Sequence, residues 1–333
     1  MHIVPLKQLS DIHFISPTDI PDSFPCHDFF YRKYPHIANI GSIIPIVKHY
    51  ERCETIFNAV QHVFSLPKPQ HFEFYNNRAT NVFYWIEQEG LKVDPKLFEE
   101  YFGVEKDWTY SQFNLKTTTT RPSNSFGGIN YAALDKSNGC RAAFVPDNDF
   151  LLEIDISAYH PTLAAQLVDF DFGEGDIHQA FADMYGVDYK KAKELTFKQL
   201  YGGVFDQYKN LEFFRKVQMY TDDLWDTFQY GGFVKMPNSG YILRREDTQD
   251  MKPQKLLNYV IQNLETSTNV RILWEILKLL RGKKTKLVLY TYDAFLFDLS
   301  SDEKEVINEI NQIIKGYKLA TKISYGSTYD FTE

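Results

Sequence analysis

Hydrophobic and polar positions along the chain follow two periods, one helical and one extended. Residues 81–103 carry apolar side chains at helical spacing on either side of Gly90. Asp94 and Pro95 then supply a capping residue and a first-turn proline for a second helix. The pattern predicts a helix-turn-helix connector in this part of the chain.

Two segments with extended periodicity each carry an aspartate. The run FLLEIDI predicts a short buried strand that ends at Asp155, and residues 159–168 predict a helix after it. Residues 286–299, KLVLYTYDAFLFDL, are rich in β-branched and aromatic side chains, with Asp293 near their centre. This composition predicts two strands around a tight turn. An amphipathic helix over 302–317 and a final strand follow.

Residues 175–227, between these segments, have helical periodicity and predict a helical subdomain. The glycine pair at 202–203 is placed to end one of its helices. Lys193, Phe197 and Tyr201 stand at i, i+4 and i+8, so a cation and two rings share one side of that helix. On their own, these residues fit a structural helix with two core aromatics and a lysine. A nucleotide also suits them, because its triphosphate attracts a cation and its base attracts a ring.

Composition indicates a globular chain, since 333 residues with 44% hydrophobic and 16% aromatic content can bury one large or two modest cores. The sequence has no apolar run of 18 residues and no secretory signal pattern, which predicts an intracellular, cytoplasmic protein without a membrane partner. The three cysteines, Cys26, Cys53 and Cys140, are far apart and lack CxxC spacing. We expect reduced thiols rather than a zinc site or a disulfide framework.

The net charge of −8 would repel a nucleic-acid backbone if it were spread evenly. The distribution is uneven, however. Residues 186–216 carry seven basic against four acidic side chains, and the segment 281–286, RGKKTK, is purely basic among its charged residues. Taken alone, either stretch is equally well explained as a solvated face.

Asp155 and Asp293 are the candidate catalytic residues. Nucleotidyl transfer by two Mg2+ ions requires carboxylates that hold the ions about 3.5–4 Å apart, and aspartates on neighbouring strands can do so. Taken alone, an aspartate at a strand end is more often a cap of a turn or helix. The surrounding motifs therefore decide between the two interpretations.

Four segments, in order along the chain, resemble motifs of family A DNA polymerases, the group that includes bacterial DNA polymerase I and many phage enzymes. LEIDISAYHPTLAAQL, around Asp155, resembles motif A, and VLYTYDAFLF, around Asp293, resembles motif C. Residues 118–144, TTTRPSNSFGGINYAALDKSNGCRAAF, are similar to the TGRPS segment with its downstream Asn and Arg. Residues 176–202 resemble the helix pair that leads into motif B. The resemblance covers the chain from about residue 81 to its C-terminus.

The resemblance implies an α+β fold: a polymerase palm with an antiparallel sheet, a helical fingers subdomain and a reduced thumb. The implied reaction is template-directed addition of dNTPs to a primer 3'-hydroxyl on primer-template DNA, with two Mg2+ ions for which Mn2+ can substitute. The implied site residues form three groups: Asp155, Ile156 and Asp293 for metal, the two aspartates being catalytic; Ile156, His160, Lys190, Lys193, Phe197 and Tyr201 for the nucleotide; and Arg121, Asn130, Arg141, Asn258 and Gln262 for DNA.

Within the nucleotide group, the resemblance implies that Lys193 contacts the phosphates of the incoming nucleotide. It also implies that Phe197 lies against the sugar and that Tyr201 stacks near the template-side base. His160 stands where family A DNA polymerases usually have a glutamate that acts in ribose selection. The choice of sugar therefore stays open, because the imidazole can either block a 2'-hydroxyl by its bulk or pack in the core.

Other site positions also depart from the family pattern. Tyr292 and Ala294 replace the His and Glu that usually flank the motif C aspartate, which leaves Asp293 as the metal ligand there. Tyr189 stands in place of an arginine that binds phosphates in the family, and Lys190 or Lys191 can substitute for that arginine.

The motif positions predict five segments: an N-terminal region of unknown role (1–80), a helical connector with a vestigial thumb (81–117), a first palm part with motif A (118–168), the fingers (169–235) and a second palm part with motif C (236–333). The N-terminal region is too short for a proofreading exonuclease. A protein partner that supplies thumb, clamp or exonuclease would compensate, as would a loss of processivity. The small size resembles phage-type enzymes, for which the location would be an infected host cell.

Two alternatives stay open. A single-subunit RNA polymerase also places a lysine eight residues before Tyr-Gly, as Lys193 stands before Tyr201, although Phe197 favours deoxynucleotides. A non-catalytic nucleic-acid-binding subunit of a replication complex would keep the fold without turnover. The reduced motif C and the short thumb favour this second alternative.

Overall fold

The computed structural model describes residues 3–6, 9–15, 78–111, 113–114, 117–124 and 129–331. The chain divides into two compact units. The first unit comprises residues 1–155, 270–313 and 323–333, and the second comprises residues 156–269 and 314–322. Most of the N-terminal region that the sequence delimits at 1–80 lies outside the described residues.

Short strands and helices alternate through the described residues. The helices are α1 (Thr80–Glu89), α2 (Pro95–Phe102), α3 (Tyr159–Leu167), α4 (Ile177–Tyr185), α5 (Tyr189–Gly202), α6 (Glu212–Gly231), α7 (Pro253–Leu279) and α8 (Glu305–Gly316). The strands are β1 (Ile3–Leu6), β2 (Leu9–Ile15), β3 (Leu91–Lys92), β4 (Trp108–Thr109), β5 (Phe113–Asn114), β6 (Ser123–Asn124), β7 (Phe150–Ser157), β8 (Phe233–Lys235), β9 (Ile242–Arg244), β10 (Lys286–Tyr290), β11 (Ala294–Leu299) and β12 (Ala320–Gly326). None of these helices is long and apolar enough to cross a membrane.

The largest sheet among the described residues has the strand order β10-β11-β7-β12. β10 and β11 form an antiparallel hairpin, and β11 pairs antiparallel with β7, where Ala294 stands opposite Asp155. Every residue of β11 is buried, as expected for a strand between two others with both faces covered. The hairpin predicted over 286–299 is confirmed. β7 extends to Ser157, two residues beyond its predicted end, because Ile156 continues the buried face of the strand.

An aromatic cluster forms part of the core of the first unit. Phe144 is fully buried at its centre. Rings from α2, from a short 3-10 helix and from the C-terminal segment surround it, mostly at steep interplanar angles: Phe98, Phe102, Tyr131 and Tyr329. Such edge-on contacts add to the stabilisation from burial.

The connector between α1 and α2 is more than the predicted turn. Leu91 and Lys92 form β3, which pairs antiparallel with β4 at Thr109 and Trp108. Gly90 enters β3 with a φ of +71°, and a Cβ atom there would lie 2.6 Å from the ring of Tyr110, so this position requires glycine. The sequence pattern missed the pairing because a two-residue strand leaves no periodicity to detect.

Removal of the α2 cap should destabilise the first unit modestly. Asp94 accepts hydrogen bonds from the backbone N–H groups of Lys96 and Leu97, each at 3.0 Å, as the sequence predicted. We expect Asp94→Ala to lower the free energy of unfolding by about 1 kcal/mol in urea denaturation, because two helix N–H groups lose their acceptor. Glu100→Ala, at an exposed position of the same helix, is the control. Equal destabilisation by the two variants would contradict the capping role.

The second unit contains the helices predicted over 175–227. Aromatic side chains of α4 and α6 form its core: Phe181, Tyr185, Phe213 and Phe214. Asp176 and Asp188 cap α4 and α5 through backbone N–H groups, and Asp176 also accepts from the Tyr189 hydroxyl at 3.2 Å. α5 ends at the predicted glycine pair, where Gly203 has a φ of +102°. The long helix α7 belongs to this unit up to Asn269.

Candidate active site

Asp155 lies on β7, and Asp293 lies in the turn just before β11, the neighbouring strand of the sheet in the first unit. Asp155 is partly buried on β7 and stands opposite Ala294, the first residue of β11. Asp293 immediately precedes Ala294 and is exposed. Directly opposed residues of an antiparallel pair have Cα atoms about 4.5–5.5 Å apart. The structure therefore places Asp293 one residue away from the position directly opposite Asp155.

The loop that carries Asp293 is held in a strained conformation. Tyr292 has a φ of +69°, which is uncommon for a bulky L-residue. Thr291 N donates to Ala294 O at 2.9 Å and Asp293 N donates to Thr291 O at 3.0 Å, and these bonds close the loop. The guanidinium of Arg121 lies over the Tyr292 ring, 3.8 Å from its centroid. Arg121, a predicted DNA contact, is thus fixed beside the aspartate hairpin.

Arg141 and Asn130, the other candidate DNA contacts of the first unit, differ in exposure. Arg141 is only 8% exposed, its guanidinium lies 4.6 Å from the ring centroid of Tyr329, and its Nε has no hydrogen-bond partner among the described residues. Asn130 is exposed and precedes a short 3-10 helix.

Burial raises the pKa of Cys140, which keeps this thiol protonated and unreactive. The other two cysteines lie outside the described residues.

Phe197 and Tyr201 form a flat aromatic surface on one side of α5. Their rings are 6.0 Å apart with an interplanar angle of 8°, and both side chains are partly exposed. The His178 ring lies 6.3 Å from Phe197. Burial, and secondarily the charge of Lys193, lowers the pKa of His178, so this imidazole is neutral at pH 7. The predicted side of α5 therefore presents two parallel rings beside a neutral histidine.

The lysines of α5 differ in their ion pairs. Lys191 and Lys198 both pair with Glu194. Lys190 and Lys193 are exposed, and neither forms an ion pair within the part of the chain that the structure describes. Lys190 and Lys193 are therefore the cations of α5 that can bind a phosphate without first breaking an ion pair.

His160 connects α3 to α5 and α7 through its two ring nitrogens. Nδ1 forms a hydrogen bond with the Tyr201 hydroxyl, and Nε2 lies 2.9 Å from Oε2 of Glu265, whose side chain is fully buried. When Nε2 donates to the carboxylate of Glu265, Nδ1 of the same tautomer accepts from the Tyr201 hydroxyl. Glu265 thus orients the Tyr201 hydroxyl through the imidazole of His160.

Sequence reasoning missed Glu265. The signal was present as a run of consecutive polar residues inside a long helix, preceded by Asn263 and Leu264. All the polar residues of this stretch are buried: Asn263, Glu265, Thr266, Ser267, Thr268 and Asn269. Buried polar groups need partners, and Tyr159 supplies another by donating to Asn269 Oδ1 at 2.7 Å. The sequence could not show that the partner of Glu265 is a histidine on a distant helix.

Asn258 and Gln262 lie on α7 at the predicted spacing. Asn258 Nδ2 donates to the backbone oxygen of Tyr201 at 3.4 Å, which ties α7 to the end of α5. Its Oδ1 is buried and has no hydrogen-bond partner among the described residues. Gln262 is partly buried, and its backbone oxygen accepts from Thr266. The Asn258 amide is therefore partly occupied by the protein itself.

The described residues contain no group of three or more His, Cys, Asp or Glu side chains that could hold a metal ion. The chemistry of the aspartate pair is that of oxygen donors alone. Oxygen-only ligand sets suit hard cations such as Mg2+, which is commonly bound by one or two carboxylates plus substrate phosphates.

Comparison with known proteins shows the fold. No protein-family model and no curated protein matches the chain. Among solved structures, the chain is similar to the POL domain of Pol1 from M. smegmatis in complex with DNA primer-template and dNTP. The TM-score is 0.65 at 14% sequence identity, over 94% of this chain and 80% of that chain. The chain therefore has the fold of a DNA polymerase domain, and the prediction of a mixed α and β fold with antiparallel sheets is confirmed.

Proposed function

We propose that the chain is a template-directed DNA polymerase that adds deoxynucleotides to a primer 3'-hydroxyl, and that it is a small, phage-type member of family A. The observation that carries the proposal is the aspartate pair, one on β7 and one in the turn just before the neighbouring strand β11, in a chain with the fold of a DNA polymerase domain. The ordered motifs around Asp155 and Asp293 support it. Its substrates are primer-template DNA and dNTPs, and a protein partner would supply a thumb, clamp or exonuclease.

Asp155 and Asp293 fit two Mg2+ ions, or Mn2+ in their place. Both side chains donate oxygen only, and Asp293 is exposed, so room is left for substrate phosphates to complete the coordination. The backbone oxygen of Ile156 is a further donor in this proposal. When bound, the ions would supply the positive charge that lowers the pKa of the primer hydroxyl and neutralises the triphosphate.

The second unit would bind the nucleotide through α5. Lys193, with Lys190 beside it, would neutralise the triphosphate because neither forms an ion pair within the described residues. Phe197 would lie against the sugar, and Tyr201 would stack near the template-side base. Phosphoryl-type transfer needs little covalent help from a protein, so these residues act by positioning and by charge.

His160 would determine sugar choice, with Glu265 as a positioning residue behind it. We expect Glu265→Gln to lower the ratio of dNTP to rNTP kcat/KM about tenfold, the loss of one charge-assisted hydrogen bond. The reason is that glutamine can either accept from Nε2 of His160 or donate to it. The tautomer of His160 is then no longer fixed, and neither is the direction of the Tyr201 hydroxyl that pairs with Nδ1. Single-turnover incorporation of both sugars measures the ratio. Glu275→Gln, at an exposed position of α7, is the matched control. Equal losses for both sugars would limit Glu265 to a packing role.

A single-subunit RNA polymerase is the second candidate, and the observation that favours it is His160 in place of the sugar-selecting glutamate. Primer extension on one hairpin primer-template, with only dNTPs or only rNTPs, separates the two. The proposal predicts efficient extension with dNTPs and weak extension with rNTPs. Efficient rNTP use would establish the second candidate. Salt-sensitive duplex binding without extension in either reaction would show a non-catalytic subunit and contradict both.

A further inference from the structure

The basic segment at 281–286 has no part in the proposed active site, yet it borders a cavity of the first unit. The cavity has a volume of about 440 Å³, within the size range of small-ligand pockets. Two tryptophans and four cationic side chains contribute to its lining: Trp85, Trp274, Lys278, Arg281, Lys283 and Lys286. A chain with a net charge of −8 therefore gathers positive charge around an aromatic recess.

The net charge of the cavity lining is positive and favours an anion. Glu89 is the one acidic side chain in the lining, and it pairs with Lys286 at 2.7 Å. Lys278, Arg281 and Lys283 form no ion pair within the described residues. α7 ends at this cavity, and the carbonyl end of a helix carries roughly half a negative charge. Three unpaired cations outweigh that partial charge.

The aromatic side chains of the cavity are also unusual. Trp85 is 53% exposed on α1, although tryptophan is usually well buried. Trp274 is partly exposed, and the Lys278 ammonium lies 5.4 Å from its ring centroid. The chain contains four tryptophans, so half of them line this one recess. Aromatic rings interleaved with cations are the combination that binds single-stranded nucleic acid, by base stacking and phosphate contact.

We propose that this cavity is a second nucleic-acid site, which takes a base of a single strand against Trp85 and the adjoining phosphates on Arg281 and Lys283. It lies at the start of β10, whereas Asp293 follows the end of that strand. With about 3.3 Å per residue, the five-residue strand separates the two places by roughly 13 Å or more. The role of the site, an added anchor for DNA on a polymerase with a reduced thumb, rests on the proposed function.

The test titrates the full chain with an oligothymidylate and follows tryptophan emission, to which the two tryptophans of this cavity contribute. Wild type should show quenching, because a stacked base lies against one of the four tryptophans. Trp85→Leu should remove most of the quenching and weaken binding about tenfold, the effect of one lost stacking partner. Trp225→Phe, which changes a tryptophan on α6, should keep both the quenching and the affinity.

Salt dependence provides a second variant that does not rely on an aromatic side chain. Lys283→Gln should reduce the slope of log K against log salt by about 0.7, the contribution of one phosphate contact on a single strand. Lys284→Gln is the matched control: it makes the same charge change one residue away, at a lysine that pairs with Asp302 at 3.0 Å and does not line the cavity. Equal slopes for the two variants would overturn the site.

Two further outcomes would also overturn the inference. One is the absence of quenching in the wild type. The other is quenching by polyglutamate that matches quenching by the oligonucleotide, which would make the cavity a site for an acidic peptide. Primer extension keeps this inference separate from the proposed function. At saturating primer-template, the Arg281→Gln, Lys283→Gln double variant should retain wild-type kcat, whereas a wild type that quenches but does not extend refutes only the polymerase proposal.

Discussion

Asp293→Asn should abolish magnesium-dependent primer extension, with a loss of about 1,000-fold or more in single-turnover rate. An amide is nearly isosteric with the carboxylate but has no charge, so it cannot hold two cations against their mutual repulsion. Removal of a single preorganised electrostatic group already costs about 100- to 1,000-fold. Asp155→Asn should have the same effect, because Asp155 stands opposite Ala294, the residue that follows Asp293.

Glu153→Gln is the control for these two variants. Glu153 lies on β7 two residues before Asp155, on the same face of the strand, and accepts a hydrogen bond from the Tyr329 hydroxyl at 2.9 Å. Glutamine can still accept that bond, so extension should stay within a few-fold of wild type. If Asp155→Asn or Asp293→Asn extended primers at the Glu153→Gln rate, the aspartate pair would not be the catalytic centre.

Lys193→Ala should lower kcat/KM for the incoming dNTP by about 100-fold, while the affinity for primer-template stays unchanged. A hydrogen bond between an ammonium and a phosphate contributes about 1.5–3 kcal/mol, and each 1.4 kcal/mol is a factor of ten. Lys193 is exposed and unpaired within the described part of the chain, so its removal breaks no ion pair that holds α5. Pre-steady-state incorporation over a range of dNTP concentrations measures the effect.

Lys198→Ala provides the comparison on the same helix. Its ammonium pairs with Glu194, and exposed pairs of this kind contribute little. We therefore expect incorporation within a few-fold of wild type. A Lys193→Ala effect no larger than that of Lys198→Ala would remove the phosphate role of Lys193 and support the simpler view of α5 as a structural helix.

Local pattern predicted the elements that carry the candidate site. Asp94-Pro95 marked the start of α2, the glycine pair at 202–203 marked the end of α5, and the apolar composition of residues 286–299 marked the β10-β11 hairpin. These signals are encoded within a few neighbouring residues. The position of Asp155 beside the hairpin needed more, because pairing between distant strands has no local signature. The order of the motifs supplied that information.

Long-range packing set the features that the sequence did not reveal. The guanidinium of Arg141 packs on Tyr329, a contact between residues far apart in the chain, although an arginine is by default exposed. The partners of His160 come from two other helices, so neither its hydrogen bond to Tyr201 nor its bond to Glu265 could be read from the motif A segment. The pattern names the residue type, while the fold chooses the partner.

Single-nucleotide addition on four primer-templates that differ only in the first unpaired template base tests the central claim most directly. With purified chain and Mg2+, each template should direct the addition of its complementary dNTP at least about 100-fold faster than the other three. The absence of addition on every template, or addition at the same rate whatever the template base, would contradict a template-directed DNA polymerase.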